Sequence, residues 1–136
     1  MTQAWFKMTD LSGVEVENPS AKQRANAIAA VYATGRDADG LGSVVFKFGY
    51  DDGLLYELEV MSGGAVKFEE WSDEDYELEL AEPRAMVGVT QEHAQELWEY
   101  LAQRQVSKLR REAWEILDRN KEKDWIMLPT RHKTST

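Results

Sequence analysis

The sequence predicts an α+β fold in two layers: an antiparallel meander sheet of four to five strands, covered on one face by about three helices. Three observations predict it. Residues 43–50, 54–61 and 65–71 alternate apolar and polar side chains with the period of two that sends successive residues to opposite faces of a strand. Short runs rich in Gly, Asp and Ser separate them. Residues 21–34 and 91–104 instead space their apolar positions for one face of a helix. With 136 residues the length suits one domain. We place it at 1–121, followed by a C-terminal segment, 122–136, that ends in a polar, partly mobile tail.

Taken in order, Trp5-Phe6-Lys7-Met8 reads as a first short strand and Val14-Glu15-Val16-Glu17 as a second. Asn18-Pro19-Ser20 stops it and starts a helix, with Ser20 as N-cap because its hydroxyl can accept a free backbone N–H of the first turn. That helix is expected from Ala21 to about Thr34, burying Ala25, Ile28, Ala29 and Tyr32. Gly35 ends it, and Arg36 to Gly42 reads as a loop.

The meander follows. Val44, Phe46, Phe48 and Tyr50 oppose Val45, Lys47 and Gly49. After the turn Asp51-Asp52-Gly53, Leu54, Tyr56, Leu58 and Val60 oppose Leu55, Glu57, Glu59 and Met61. Ser62-Gly63-Gly64 makes the next turn, and Val66 and Phe68 oppose Lys67, Glu69 and Trp71. Asp73-Glu74-Asp75 reads as a third turn, with Tyr76, Leu78 and Leu80 pointing inward on a fourth strand while Glu77 and Glu79 point out.

Arg84 to Val89 reads as irregular or edge structure. Thr90 then caps a helix from Gln91 to Gln103 or Arg104, with Glu92 suited to the positive end of the helix dipole. Its stripe is Ala94, Leu97, Trp98 and Leu101. A further helix is expected from about Ser107 to Lys121, with Leu109, Ala113, Ile116 and Leu117 inward. Mixed charges along it, from Lys108, Arg110 and Arg111 to Glu112 and Glu115, indicate a solvated, salt-bridged face. Trp114 and Trp125 read as a clasp holding the terminal segment.

Composition excludes several classes of function. The chain has no cysteine, so neither disulfides nor thiolate chemistry is available. No apolar run approaches the roughly 20 residues that cross a bilayer. The N-terminus lacks a basic, then apolar, leader, which points to the cytoplasm. A net charge of -9 argues against nucleic acid and anionic membranes as primary partners. His93 and His132 lack companions at metal-ligand spacing and read as surface residues. Asp73-Glu74-Asp75 lacks the central glycine of a calcium loop and moves straight into a strand. Gly40-Leu41-Gly42 is only half a nucleotide fingerprint and precedes a strand. The reading assigns no catalytic residue, no metal and no cofactor.

Charge distribution supplies the candidate site. Residues 51–82 hold twelve carboxylates and one basic side chain, Lys67, for a net -11, so the remainder of the chain is +2. Alternation would array these acids on the solvent face of the sheet, where they would steer a basic partner. The candidate partner-binding residues are Asp51, Asp52, Glu57, Glu59, Glu69, Glu70, Trp71, Asp73, Glu74, Asp75, Glu77 and Glu79. Leu55, Met61 and Trp71 interleave with the acids on the outward register, and Trp71 is the preferred apolar anchor.

The layout resembles small bacterial immunity proteins that accompany secreted polymorphic toxins, deaminase toxins among them. The resemblance rests on the Pro19-Ser20 helix start, the meander with its Asp51-Asp52-Gly53 and Ser62-Gly63-Gly64 turns, and the Thr90-Gln91-Glu92-His93-Ala94 helix with a second helix behind it. It covers residues 14–118. It implies a cytoplasmic antitoxin-like inhibitor that binds a cognate toxin, a basic nuclease- or deaminase-type effector, and occludes its active site without catalysis of its own. The expected oligomeric state is a monomer. The alternative expectation is an adaptor or structural subunit of a phage or secretion assembly, which would self-associate.

Overall fold

The computed structural model of the chain describes residues 3–33, 42–51, 53–72 and 84–116. Its elements are β1 (Ala4–Thr9), β2 (Glu15–Glu17), α1 (Ala21–Ala33), β3 (Ser43–Tyr50), β4 (Leu55–Met61), β5 (Ala65–Trp71), β6 (Arg84–Met86), α2 (Gln91–Ala102), α3 (Val106–Arg110) and β7 (Glu115–Ile116). The fold is α+β, as the alternation and the two helical stripes predict. The strands form one open sheet in the order β2-β1-β3-β4-β5-β6-β7, with every neighbouring pair antiparallel. The seven strands among the described residues exceed the four to five expected. The extra ones are β6 and β7, three and two residues long and too short to show a period of their own, whereas β2 is the strand predicted at 14–17.

The two long turns of the meander fix its register. Gly53, Gly63 and Gly64 all have positive φ. Gly64 is constrained twice: its φ is +89°, and a Cβ there would come within 2.9 Å of the Val89 carbonyl oxygen. That close approach lets Val89 N–H donate to Gly64 O at 2.9 Å, tying the meander to the entry of α2.

The core lies between the helices and the inner face of the sheet. Val44, Phe46, Phe48, Leu58, Val60, Val66 and Phe68 meet Ile28 and Val31 of α1, Ala94, Leu97, Trp98 and Leu101 of α2, and Leu109 of α3. Phe46 and Trp98 pack with ring centroids 5.4 Å apart. The α2 stripe is the predicted one. In α1 the buried residues are Ala27, Ile28 and Val31, while Ala25, Ala29 and Tyr32 are half-buried. An alanine-rich helix has little apolar contrast between adjacent faces, so spacing alone misplaces the stripe by part of a turn.

Both predicted caps form. Ser20 Oγ accepts from Gln23 N–H at 3.1 Å, and Gln23 Oε1 accepts from Ser20 N–H at 2.8 Å, a reciprocal capping box. Thr90 Oγ1 accepts from His93 N–H at 3.1 Å. A bidentate ion pair from Arg24 of α1 to Glu99 of α2, with both contacts at 2.7 Å, joins the two helices.

The C-terminal expectation needs correction. The helix predicted from Ser107 to Lys121 is only α3, five residues long, and Ala113 is exposed rather than inward. The chain turns instead because Trp114 packs on Phe68, with centroids 5.5 Å apart, and donates its indole N–H to Leu109 O at 2.5 Å. Residues 115–116 then pair with β6. Arg84 to Met86 is consequently a strand with neighbours on both sides, not an edge. The expected fourth strand from Tyr76 to Leu80, Leu117 to Lys121, Trp125 and the tail lie outside the described residues.

Candidate interaction surface

Alternation fixes which side chains reach the outer face of the sheet. Among them are Trp5 and Lys7 of β1, Val45 and Lys47 of β3, Leu55, Glu57, Glu59 and Met61 of β4, and Lys67, Glu69 and Trp71 of β5, with Gly49 of β3 at the same register. Register decides their partners. Glu57 lies between Lys47 and Glu69, and Glu59 between Val45 and Lys67. Lys67 Nζ is 3.9 Å from Glu69 Oε1, and these two side chains are 11% and 14% exposed. The central acids Glu57, Glu59 and Glu69 are therefore half-buried among lysines, not ranged on an open anionic face.

The apolar residues of this face also differ from expectation. Leu55 and Met61 are buried, at 1% and 5% exposure, so they are not free anchors. Trp71 is half-buried, directly across the strand pair from Leu55. Trp5 covers Gly49: a Cβ at that glycine would fall 2.3 Å from the indole. Lys7 sits 5.3 Å from the centre of the same ring.

Glu70 is the clearest correction. It shares the inner register of Val66 and Phe68 and is buried at 4% exposure. Arg110 donates to it through Nε to Oε2 at 3.2 Å and Nη2 to Oε1 at 2.7 Å, and Arg84 Nη2 also donates to Oε2. Arg84 also stacks over Phe68, 4.9 Å from the ring centre. Burial pushes the Glu70 carboxyl up, but the hydrogen bonds from Arg110 and Arg84, with their charges, outweigh it and hold the pKa below 4.5. A carboxylate so held is a poor proton donor and is closed to an external partner. It belongs to the fold, not to the binding surface.

Asp51 stands differently. It is exposed in the turn after β3, where its N–H donates to Gln3 O at 3.0 Å. Because Gly49, Leu55 and Trp71 lie side by side across three strands, this turn and the exit of β5 at Ser72 share one end of the sheet. Asp52, Asp73, Glu74, Asp75, Glu77 and Glu79 lie outside the described residues.

His93 is not the isolated surface residue expected from sequence. Its Nε2 is 2.7 Å from Glu112 Oε1, linking the first turn of α2 to the chain after α3. Among the described residues no group of three His, Asp or Glu side chains converges in a way that would hold a metal ion. No helix among them is long and apolar enough to cross a membrane.

The Glu70–Arg84–Arg110 cluster was half legible beforehand, since Glu70 follows Val66 and Phe68 at intervals of two. Its arginines were not, because they arrive from separate elements. No protein-family model matches the chain, and neither a curated protein nor a solved structure matches it.

Proposed function

We propose that the chain is a non-catalytic inhibitor of the immunity-protein kind. It binds a basic nuclease- or deaminase-type toxin in the cytoplasm of the producing cell and occludes the active site. One observation carries the reading: the charge of residues 51–82, net -11, is far from balanced, and the described lysines stand against only part of it. Lys47 and Lys67 face Glu57 and Glu59 across the strands, and Arg84 and Arg110 absorb Glu70. Asp51 is exposed, and Asp52 and the run from Asp73 to Glu82 lie outside the described residues. The exposed Asp51 turn and the departure of the chain at Ser72 toward that run share one end of the sheet. The layout resemblance supports the same reading.

The test separates two sets of acids. In one variant Asp51, Asp52, Asp73 and Asp75 become Asn and Glu74, Glu77 and Glu79 become Gln. In the other Glu57, Glu59 and Glu69 become Gln. Against the toxin that co-purifies with the full chain, the first variant associates about tenfold more slowly and the second changes the rate much less. Equal rates for wild type and the first variant would remove the acidic segment as the binding surface.

A further inference from the structure

The β2 edge of the sheet carries a second surface. Among the described residues β2 has a neighbour on one side only, β1. Its register pairs Met8 with Val16, Lys7 with Glu17 and Thr9 with Glu15. Asp10 N–H donates to Val14 O at 2.9 Å and Asn18 N–H to Phe6 O at 3.0 Å. Antiparallel ladders alternate, so the backbone groups of Val14, Val16 and Asn18 point toward β1. Those of Glu15 and Glu17 point the other way, to the open edge.

Side chains make this edge selective. Glu15 and Glu17 are exposed and share the outer face of the sheet, while Val16 turns to the helix side. There a cavity of about 570 Å³ opens between the β1–β2 hairpin and α1, lined by Met8, Leu11, Val16, Gln23, Asn26 and Ala27. Val14, 56% exposed, stands between the hairpin turn and β2. The hairpin is held in shape by Asp10, whose carboxylate accepts from Ser12 Oγ at 2.8 Å and from the N–H groups of Ser12 and Val14 at 3.0 Å.

We propose that β2 receives an extended segment of a partner protein, added as an eighth strand, in which basic and aliphatic side chains alternate. Residues paired with Glu15 and Glu17 lie on the same face as those carboxylates, so they are the basic ones. The residue between them lies on the face of Val16 and enters the cavity beneath α1. A second copy of this chain fits poorly, because pairing β2 with itself sets glutamates against glutamates. The surface is separate from residues 51–82 and does not depend on the inhibitor reading.

The probe is a labelled heptapeptide of alternating lysine and valine, titrated into the full chain and followed by fluorescence anisotropy and by amide NMR shifts. The expected result is 1:1 binding, with shifts at residues 14–17 and along the Gln23–Ala30 face of α1. The double variant Glu15→Lys, Glu17→Lys, exposed and away from the core, weakens binding by about tenfold or more. Methylating the lysine amide nitrogens of the peptide weakens it similarly, because those groups pair with the edge. Three results would overturn the proposal: equal binding by a peptide with its lysines and valines in separate blocks, equal binding by the methylated peptide, or no loss in the double variant. Sedimentation as a dimer with residues 14–17 in its interface would overturn it in favour of self-pairing.

Discussion

Glu70 shows how one residue can change the meaning of a charge pattern. In the sequence it is one of the twelve acids of residues 51–82; in the fold it is a buried carboxylate paired with two guanidinium groups. Replacing it by Ala leaves Arg84 and Arg110 without their counter-charge. The expected loss is about 3–5 kcal/mol of stability, read from urea unfolding at neutral pH. Its pH signature follows from the lowered pKa. The folded state holds the proton less tightly than the unfolded chain, so the stabilisation is present above the ordinary value of 4.5 and disappears as pH falls through the folded pKa. Glu70→Gln should therefore lack the part of the acid-induced loss that wild type shows there. An identical acid profile in the two proteins would mean that the pair does not stabilise the fold.

Tyr32 works in the opposite direction on the pH scale. Its hydroxyl donates to Val89 O at 2.6 Å, and burial, then the charge of Glu92, pushes its pKa up to about 12. A raised folded pKa means stability that is full below 10 and is lost as pH rises toward 12. Tyr32→Phe should cost about 1 kcal/mol at pH 7 and flatten the alkaline end of the stability curve, measured by thermal unfolding across pH.

At the scale of elements, the long alternating strands and the capped helices were legible because each carries several concordant signals. α2 has its Thr90 cap, its acidic first turn and a four-residue stripe, and all of them appear in the structure. For α1 the cap was legible but the buried face was not, since alanines on neighbouring faces offer no contrast. Ser20→Ala removes one half of the capping box and should cost about 1 kcal/mol, checked by chemical denaturation. The region after α3 was misread because local helix periodicity continues past Arg110, while the actual turn depends on Trp114 meeting Phe68 from a distant strand. Such tertiary override leaves no local trace.

For the whole molecule, alternation correctly divided the sheet into inner and outer faces, but it could not say what else would sit on the outer one. Lys7, Lys47 and Lys67 arrive there from three different strands, and only the register sets the last two opposite Glu57 and Glu59. Leu55 and Met61 share that face, and their burial removes them from the role of exposed anchors. What survives is the net charge of residues 51–82, of which Asp51 stands exposed at one end of the sheet, while Asp52 and Asp73 to Glu82 lie outside the described residues. The account rests on that charge acting at long range on a basic macromolecule. Its most direct test is the association rate of the co-purifying partner with the wild-type chain, measured by stopped flow against ionic strength. The account predicts a steep fall in rate as salt rises, with the dissociation rate changing little. An association rate indifferent to salt would contradict it.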